Sequence, residues 1–320
     1  LINFCKGRKT VDLKHQICLS ILTSPQKTEK MTRPILAFAI SFLSSLSASA
    51  QKVTVPLKME QGQEYEVTLV LKNTVSQQAM GQAIDFVVNG NGLHSFKVMN
   101  ATEDNFTLHH EAQKIGFDFD GMGQSRKFDS NNEKDGNGPF GKPIKQFLAR
   151  KYDMIVDPHG KVLLLAEGKQ EKVQMDDRMA IITNMLRDVL SISEPPKKGD
   201  NSIFGVLPAH EVGVGDVWSD TIMTETVKGI NNYRISAIDD ATITIEISGG
   251  STSTTKAEMM GNETTTTMSN KIKGTIIVDR NTGILKEKKT ETESNGNTES
   301  TFGTLPVTAK TITTITVTRK

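Results

Sequence analysis

The sequence predicts a mainly β fold of the α+β kind: two related curved antiparallel sheets, or open half-barrels, with one long bridging amphipathic helix. Three observations predict it. Alternation of apolar and polar residues dominates the chain, one long segment alone takes helical spacing, and two stretches of the second half echo stretches of the first. The 320 residues carry 38 Lys+Arg against 37 Asp+Glu, a formal net charge of +1. Such a balance gives no long-range field to gather a polyanion, so nucleic acid is not an expected partner.

The N-terminal segment predicts export. Residues 1–30 are mixed polar and basic and suggest a start site assigned too far upstream. From Met31 the text reads MTRPILAFAISFLSSLSASAQ. Arg33 forms a short positive region, Ile35 to Leu46 an apolar run, and Ala48-Ser49-Ala50 the small residues that a signal peptidase reads. Residues 31–50 are thus the expected signal peptide, cut between Ala50 and Gln51. An apolar run this short cannot cross a hydrocarbon core of ~30 Å as a helix. Removing residues 1–50 takes away both cysteines, Cys5 and Cys18, and leaves a chain of net charge −4. The expectation is a periplasmic, outer-surface or secreted protein with no disulfide, no lipid-modified cysteine, no thiol chemistry and no further membrane span.

The strands follow. Tyr65 to Leu71, Ile84 to Val88, Ser95 to Val98, Phe106 to His110, Tyr152 to Val156 and Val162 to Leu165 alternate or are continuously apolar. Gly90-Asn91-Gly92 has the chemistry of a hairpin turn. The last hundred residues hold 25 Thr, as in Ala241 to Ile247 and Ile312 to Thr318. Thr is β-branched and polar, which suits the wet face of a half-buried strand. Met175 to Ile192 breaks the pattern, with Met175, Met179, Ile182, Met185, Leu186, Val189 and Leu190 at spacings of three and four. Asp176 and Asp177 favour its first turn, and Glu194-Pro195-Pro196 ends it. A shorter helix is expected at Ile144 to Arg150.

The internal repeat organises the whole. Phe96-Lys97-Val98 with Phe106-Thr107-Leu108 matches Tyr233-Arg234-Ile235 with Ile243-Thr244-Ile245 at a constant offset. Ile155 to Leu163 resembles Ile277 to Leu285: an apolar strand, an Asp, a turn ending in Gly, an apolar strand. The expected organisation is a first β half over 51–170, a bridging helix and Pro-rich linker over 171–202, and a second, Thr-rich β half over 203–320.

The signal end ASAQ, the Asp-x-x-Gly hairpin and Leu207-Pro208-Ala209-His210-Glu211-Val212-Gly213-Val214-Gly215-Asp216-Val217-Trp218 together resemble a domain-of-unknown-function family of exported proteins typical of Bacteroidetes. The resemblance implies location and a β-rich fold, with the Gly-Asp-x-Trp turn opening a strand. It implies no activity and no catalytic residue.

Candidate sites are few. His109 and His110 are adjacent on a strand and point to opposite faces, so they do not share a metal; His94, His159 and His210 are isolated. Asp118, Asp120, Asp129 and Asp135 supply hard oxygen ligands over 118–138. Counted as a calcium loop from Asn131, however, the twelfth position is Lys142 where a bidentate Glu is needed. A solvated loop is the simpler account. No nucleophile elbow, phosphate loop or zinc-binding helix motif occurs. No cofactor is expected, and aromatic platforms for sugars are lacking, with one Trp and three Tyr.

The expected function is therefore non-catalytic: an envelope protein binding a hydrophobic or lipid-like ligand in a groove between sheet and helix. Met175, Met179, Ile182, Leu186 and Trp218 are the candidate lining. The same Met residues would equally serve to fill a core, and Trp218 to anchor one. Two alternatives stand beside it, a periplasmic hydrolase of unknown substrate and a calcium-stabilised surface module.

Overall fold

Period-two alternation runs through most of the chain after residue 63, and strands form there. The computed structural model describes residues 52–79, 82–121, 123–167, 182–259, 262–301 and 303–320. The predicted signal segment with Ala50 and Gln51, and also Met175 and Met179, lie outside the described residues. The strands are β1 (Glu64–Ala79), β2 (Gln82–Ala101), β3 (Phe106–Gly121), β4 (Gln124–Asp129), β5 (Lys151–Val156), β6 (Val162–Glu167), β7 (Val217–Met223), β8 (Val227–Ile238), β9 (Thr242–Met259), β10 (Asn262–Asp279), β11 (Leu285–Ser300) and β12 (Gly303–Arg319). Short helices α1 (Glu133–Gly136), α2 (Gly141–Leu148) and α3 (Arg187–Ser191) complete the described elements.

All these strands join one antiparallel sheet, ordered β6-β5-β3-β2-β1-β12-β11-β10-β9-β8-β7, with β4 pairing the far end of β3. This corrects the expectation of two sheets. The reason is the seam between β1 and β12, which pair from Tyr65↔Arg319 to Gln77↔Val307 and fuse the two halves. Alternation fixes which face each residue takes, but not which strand lies beside it.

Two more expectations change. Ile84 to Val88 and Ser95 to Val98 belong to one strand, β2, and Gly90-Asn91-Gly92 lies in its middle, not at a turn. A Cβ on Gly90 would stand 2.5 Å from Leu186 Cδ2, and one on Gly92 would stand 3.1 Å from Val189 Cγ1. The glycines hollow the sheet so that a helix can lie on it. That helix is not the long bridge expected over Met175 to Ile192. Among the described residues it is two short helical pieces, 182–185 and α3, broken at Leu186. Asn73 Nδ2 donates to Met185 O at 3.2 Å, and Thr313 Oγ1 donates to Asp188 at 2.8 Å. The segment is thereby fastened to the sheet rather than standing between two sheets.

The sheet is strongly curled. Leu57 N donates to Pro158 O in the β5–β6 turn, and its neighbour Lys58 N donates to Thr282 O in the β10–β11 turn. Five to six strand spacings separate those hairpins, which in a flat sheet at ~4.8 Å each is roughly 25 Å. Consecutive residues can reach both only if the inner face is concave. The concavity stays open: β6 and β7 are the two ends of the path, and residues 199–216 cross between them. Val162 N, on β6, donates to Asp200 O, and Gly215 N donates to Ile235 O on β8.

Two apolar clusters fill the inside. The first gathers Tyr65, Phe96, Leu108, Tyr152, Val156, Ile235, Ile245, Ile276 and Leu285 around Phe204, from nearly every strand. The second lies under the helices of the first half, with Leu69, Leu71, Val88, Ile115, Phe117, Ile144, Phe147, Leu186 and Val189.

The two halves also share irregularities. The β2–β3 hairpin shifts register between Val98 and Asn100, and the β8–β9 hairpin between Ile235 and Ala237. The β5–β6 hairpin shifts between Ile155 and Val156, and the β10–β11 hairpin between Ile277 and Val278. The turns beyond those last two are built alike. Asp157 Oδ1 accepts from His159 N and Lys161 N, and Asp279 Oδ1 from Asn281 N and Thr282 N. Gly160 and Gly283 close them at φ of 78° and 70°.

Candidate functional site

The inner face differs between the halves, and the second half borders a cavity. In the first half, His110 of β3 stacks on Tyr152 of β5 at 4.3 Å and on His94 of β2 at 5.3 Å. Counting from the paired bulges, the corresponding residues of the second half are Ile247, Gly274 and Asn231. Two rings and a tyrosine are replaced by one branched side chain, no side chain and one amide. A cavity of about 260 Å³ opens on this side of the concave face, lined by residues 201–206 on one wall and by β7, β8, β10, β11 and β12 on the other.

Its lining is part apolar and part charged. Ile203, Val206, Ile276, Leu285 and Ile315 form the apolar walls, while Asp220, Tyr233 and Lys288 bring polar groups. Burial raises the pKa of Tyr233, and the nearby Asp220 carboxylate adds to the rise. Lys288 faces inward beside Ile276 and Ile315 in register. Its residual surface borders the cavity. Burial lowers the pKa of its ammonium, and the carboxylates of Asp188 and Asp220 oppose that effect without forming an ion pair with it. Sequence reasoning missed Lys288, because the Lys286–Lys289 run looks like a solvated stretch. Alternation carried on from the buried Leu285 would also place Lys288 on the outer face; the register shift between Ile277 and Val278 turns it inward beside Ile276.

The predicted lining residues are placed differently. Ile182 and Leu186 are buried in the second cluster, Leu186 against Gly90, so the space beneath the helical pieces is packed. Trp218 is half-buried on β7. Its ring stacks on Tyr233 at 5.3 Å and 13°, which puts it directly behind a cavity wall. The turn before it is built as its sequence suggests. Gly213 N donates to the Asp216 carboxylate at 2.9 Å, Gly215 has φ of 93°, and β7 starts at Val217.

The four aspartates are not gathered. Asp118 and Asp120 lie on β3, exposed, and Asp118 pairs with Lys127 at 3.7 Å. Asp129 accepts from Lys114 Nζ at 2.9 Å, and Asp135 accepts from Asp129 N at 2.9 Å. Among the described residues no group of three or more His, Cys, Asp or Glu could hold a metal ion.

The histidines divide as adjacent strand residues must. His109 is on the outer face between Asp153 and Glu111; burial lowers its pKa, but the two carboxylates outweigh that and raise it. His110 is fully buried and is not alone, because His94 Nδ1 lies 3.1 Å from His110 Nε2. Their other nitrogens, His94 Nε2 and His110 Nδ1, are buried without a partner. Burial pushes the pKa of His94 down to about 4 and that of His110 to about 3.

No helix among the described residues is long and apolar enough to cross a membrane. None of the curated proteins matches the chain. Among solved structures, a lipovitellin described for its lipid–protein interactions is similar at 9% identity and a TM-score of 0.40; the match covers 82% of this chain and 25% of that one. An outer membrane channel from Pseudomonas putida F1 is similar at 7% identity and a TM-score of 0.26, over 82% of this chain and 97% of the channel. The chain thus spans only a quarter of the lipovitellin it matches. Residues 103–285 match the model of a family of unknown function, DUF6263, and with more than half of its length inside that match the chain belongs to this family.

Proposed function

We propose that the protein is an exported, non-catalytic binding protein, built from a duplicated β half-unit, whose second half holds a small hydrophobic or lipid-like ligand on the concave face. The cavity between residues 201–206 and β7–β12 carries this reading. The first half packs the matching positions Val67, Phe96, Met154 and Leu165 into its apolar cluster, so the sheet itself does not require the opening. The shared positions of the bulges and Asp-Gly turns support the duplication, and the signal segment from Met31 to Ala50 supports export to the periplasm or the outer surface. Native mass spectrometry of the protein purified from its own envelope tests the proposal. A co-purifying small molecule, released on unfolding, is expected. A bare polypeptide mass under conditions that keep the protein folded would remove it.

A further inference from the structure

We infer that the ligand is a monocarboxylate with an apolar body, its carboxylate received by Lys288. This deepens the reading above and rests on it. Three observations carry the inference.

The first is that Lys288 lines the cavity yet makes no ion pair or hydrogen bond among the described residues. Its neighbours in register are Ile276 on β10 and Ile315 on β12, both apolar. An ammonium set among apolar side chains, with the Asp188 and Asp220 carboxylates near enough to act on it but not to form an ion pair, is costly, and folds seldom keep one unless something pairs with it. The second is positional. Aligned on the β5–β6 and β10–β11 bulges, Lys288 corresponds to Leu165, which packs against the first cluster. The sheet accepts a leucine at this position, so the charge is not there for the fold. Asp220 likewise corresponds to Val67, which is fully buried. The third is that the carboxylates acting on the ammonium, Asp188 and Asp220, stay beyond ion-pair distance, Asp188 being held by Thr313 Oγ1 at 2.8 Å, which leaves Lys288 without a contacting acceptor.

The chemistry of the ligand follows from what surrounds the ammonium. One lysine is a single point charge without the fork of donors that a phosphate dianion draws on. The nearby Asp220 repels a second negative charge. Ile203, Val206, Leu285 and Ile315 offer apolar wall to the remainder of the molecule. A single carboxylate on a hydrocarbon body satisfies both demands.

Trp218, the only Trp of the chain, stacks on the cavity residue Tyr233 and reports occupancy by its fluorescence. Titration at neutral pH with octanoate and with octanol, its uncharged counterpart, tests the inference. The wild-type protein is expected to bind octanoate about tenfold or more tighter than octanol, the range of a hydrogen bond to a charged group. In Lys288→Met the octanoate affinity should fall to the octanol level while octanol binding stays unchanged. Loss of the unpaired ammonium should leave the fold intact, and an unchanged or raised melting temperature is the control. Lys288→Gln serves if that variant does not fold, and the wild-type comparison needs no variant at all. Equal binding of octanoate and octanol by the wild type would overturn the assignment to Lys288 while leaving an apolar site in place. Binding of neither would overturn the apolar-ligand reading itself.

Discussion

His94 and His110 show how a buried polar pair is held at a cost. A neutral imidazole has one N–H and one bare nitrogen. Whichever ring donates across the 3.1 Å contact, one N–H elsewhere in the pair is left without an acceptor. Stacking of His110 on Tyr152 and its tilted contact with Phe96 keep the rings in place. Both pKa values lie below the ordinary 6.5, at about 4 and about 3, so the fold favours the neutral rings. The unfolded chain therefore binds more protons than the folded one between those values, and stability must rise with pH in that window. It is fully present above pH 6.5 and is lost as the pH falls toward 4. His109, whose pKa is raised, works in the opposite sense: its contribution is full below 6.5 and fades as the pH rises. Denaturant titrations at pH 7 and pH 5 should show a loss of roughly 2–4 kcal/mol for the wild type, about 2 from each buried histidine less what His109 returns. In His94→Leu/His110→Phe the slope should flatten or reverse. A wild-type slope that survives the double substitution would place the titrating groups elsewhere.

The elements show what periodicity can and cannot specify. The strand at Tyr65 to Leu71, the short helix near Ile144, the Asp-Gly turns and the Gly-Asp turn before Trp218 were legible, because each rests on local chemistry. The continuous β2 was not, because Gly90-Asn91-Gly92 is good turn chemistry until a helix from elsewhere in the chain needs the room. Nor was the joining of the two halves, since β1 and β12 are the most distant strands in sequence and alternation is silent about partners. The site was the least legible part. Its walls come from residues 201–206 and from strands distant from them in sequence, and Lys288 sits in a run of lysines that resembles solvated surface. The role given to Gly90 can be measured. Gly90→Ala drives a Cβ into Leu186 and should cost about 1–3 kcal/mol, with faster hydrogen exchange over 182–191. Gly250→Ala meets nothing nearer than Asn270 O at 3.4 Å and should be neutral within ~0.5 kcal/mol. Equal effects at the two positions would mean that the glycines of β2 do not seat the helix.

At the scale of the molecule, one curled sheet carries two inner faces of different character. The first is packed by α2 and by residues 182–191; the second keeps its space. A sheet continuous through the β1–β12 seam should unfold as one unit. Fluorescence of Trp218, near one edge, and far-ultraviolet circular dichroism of the whole sheet are expected to give the same denaturation midpoint. Separate midpoints would mean that the halves are independent. The central claim is that the open half of this concave face exists to hold an apolar ligand. Native mass spectrometry of the envelope-purified protein beside the cavity-filling variant Ile276→Phe tests it most directly. The account predicts a bound small molecule on the wild type and none on the folded variant; a wild type without ligand, or the same adduct on both proteins, would contradict it.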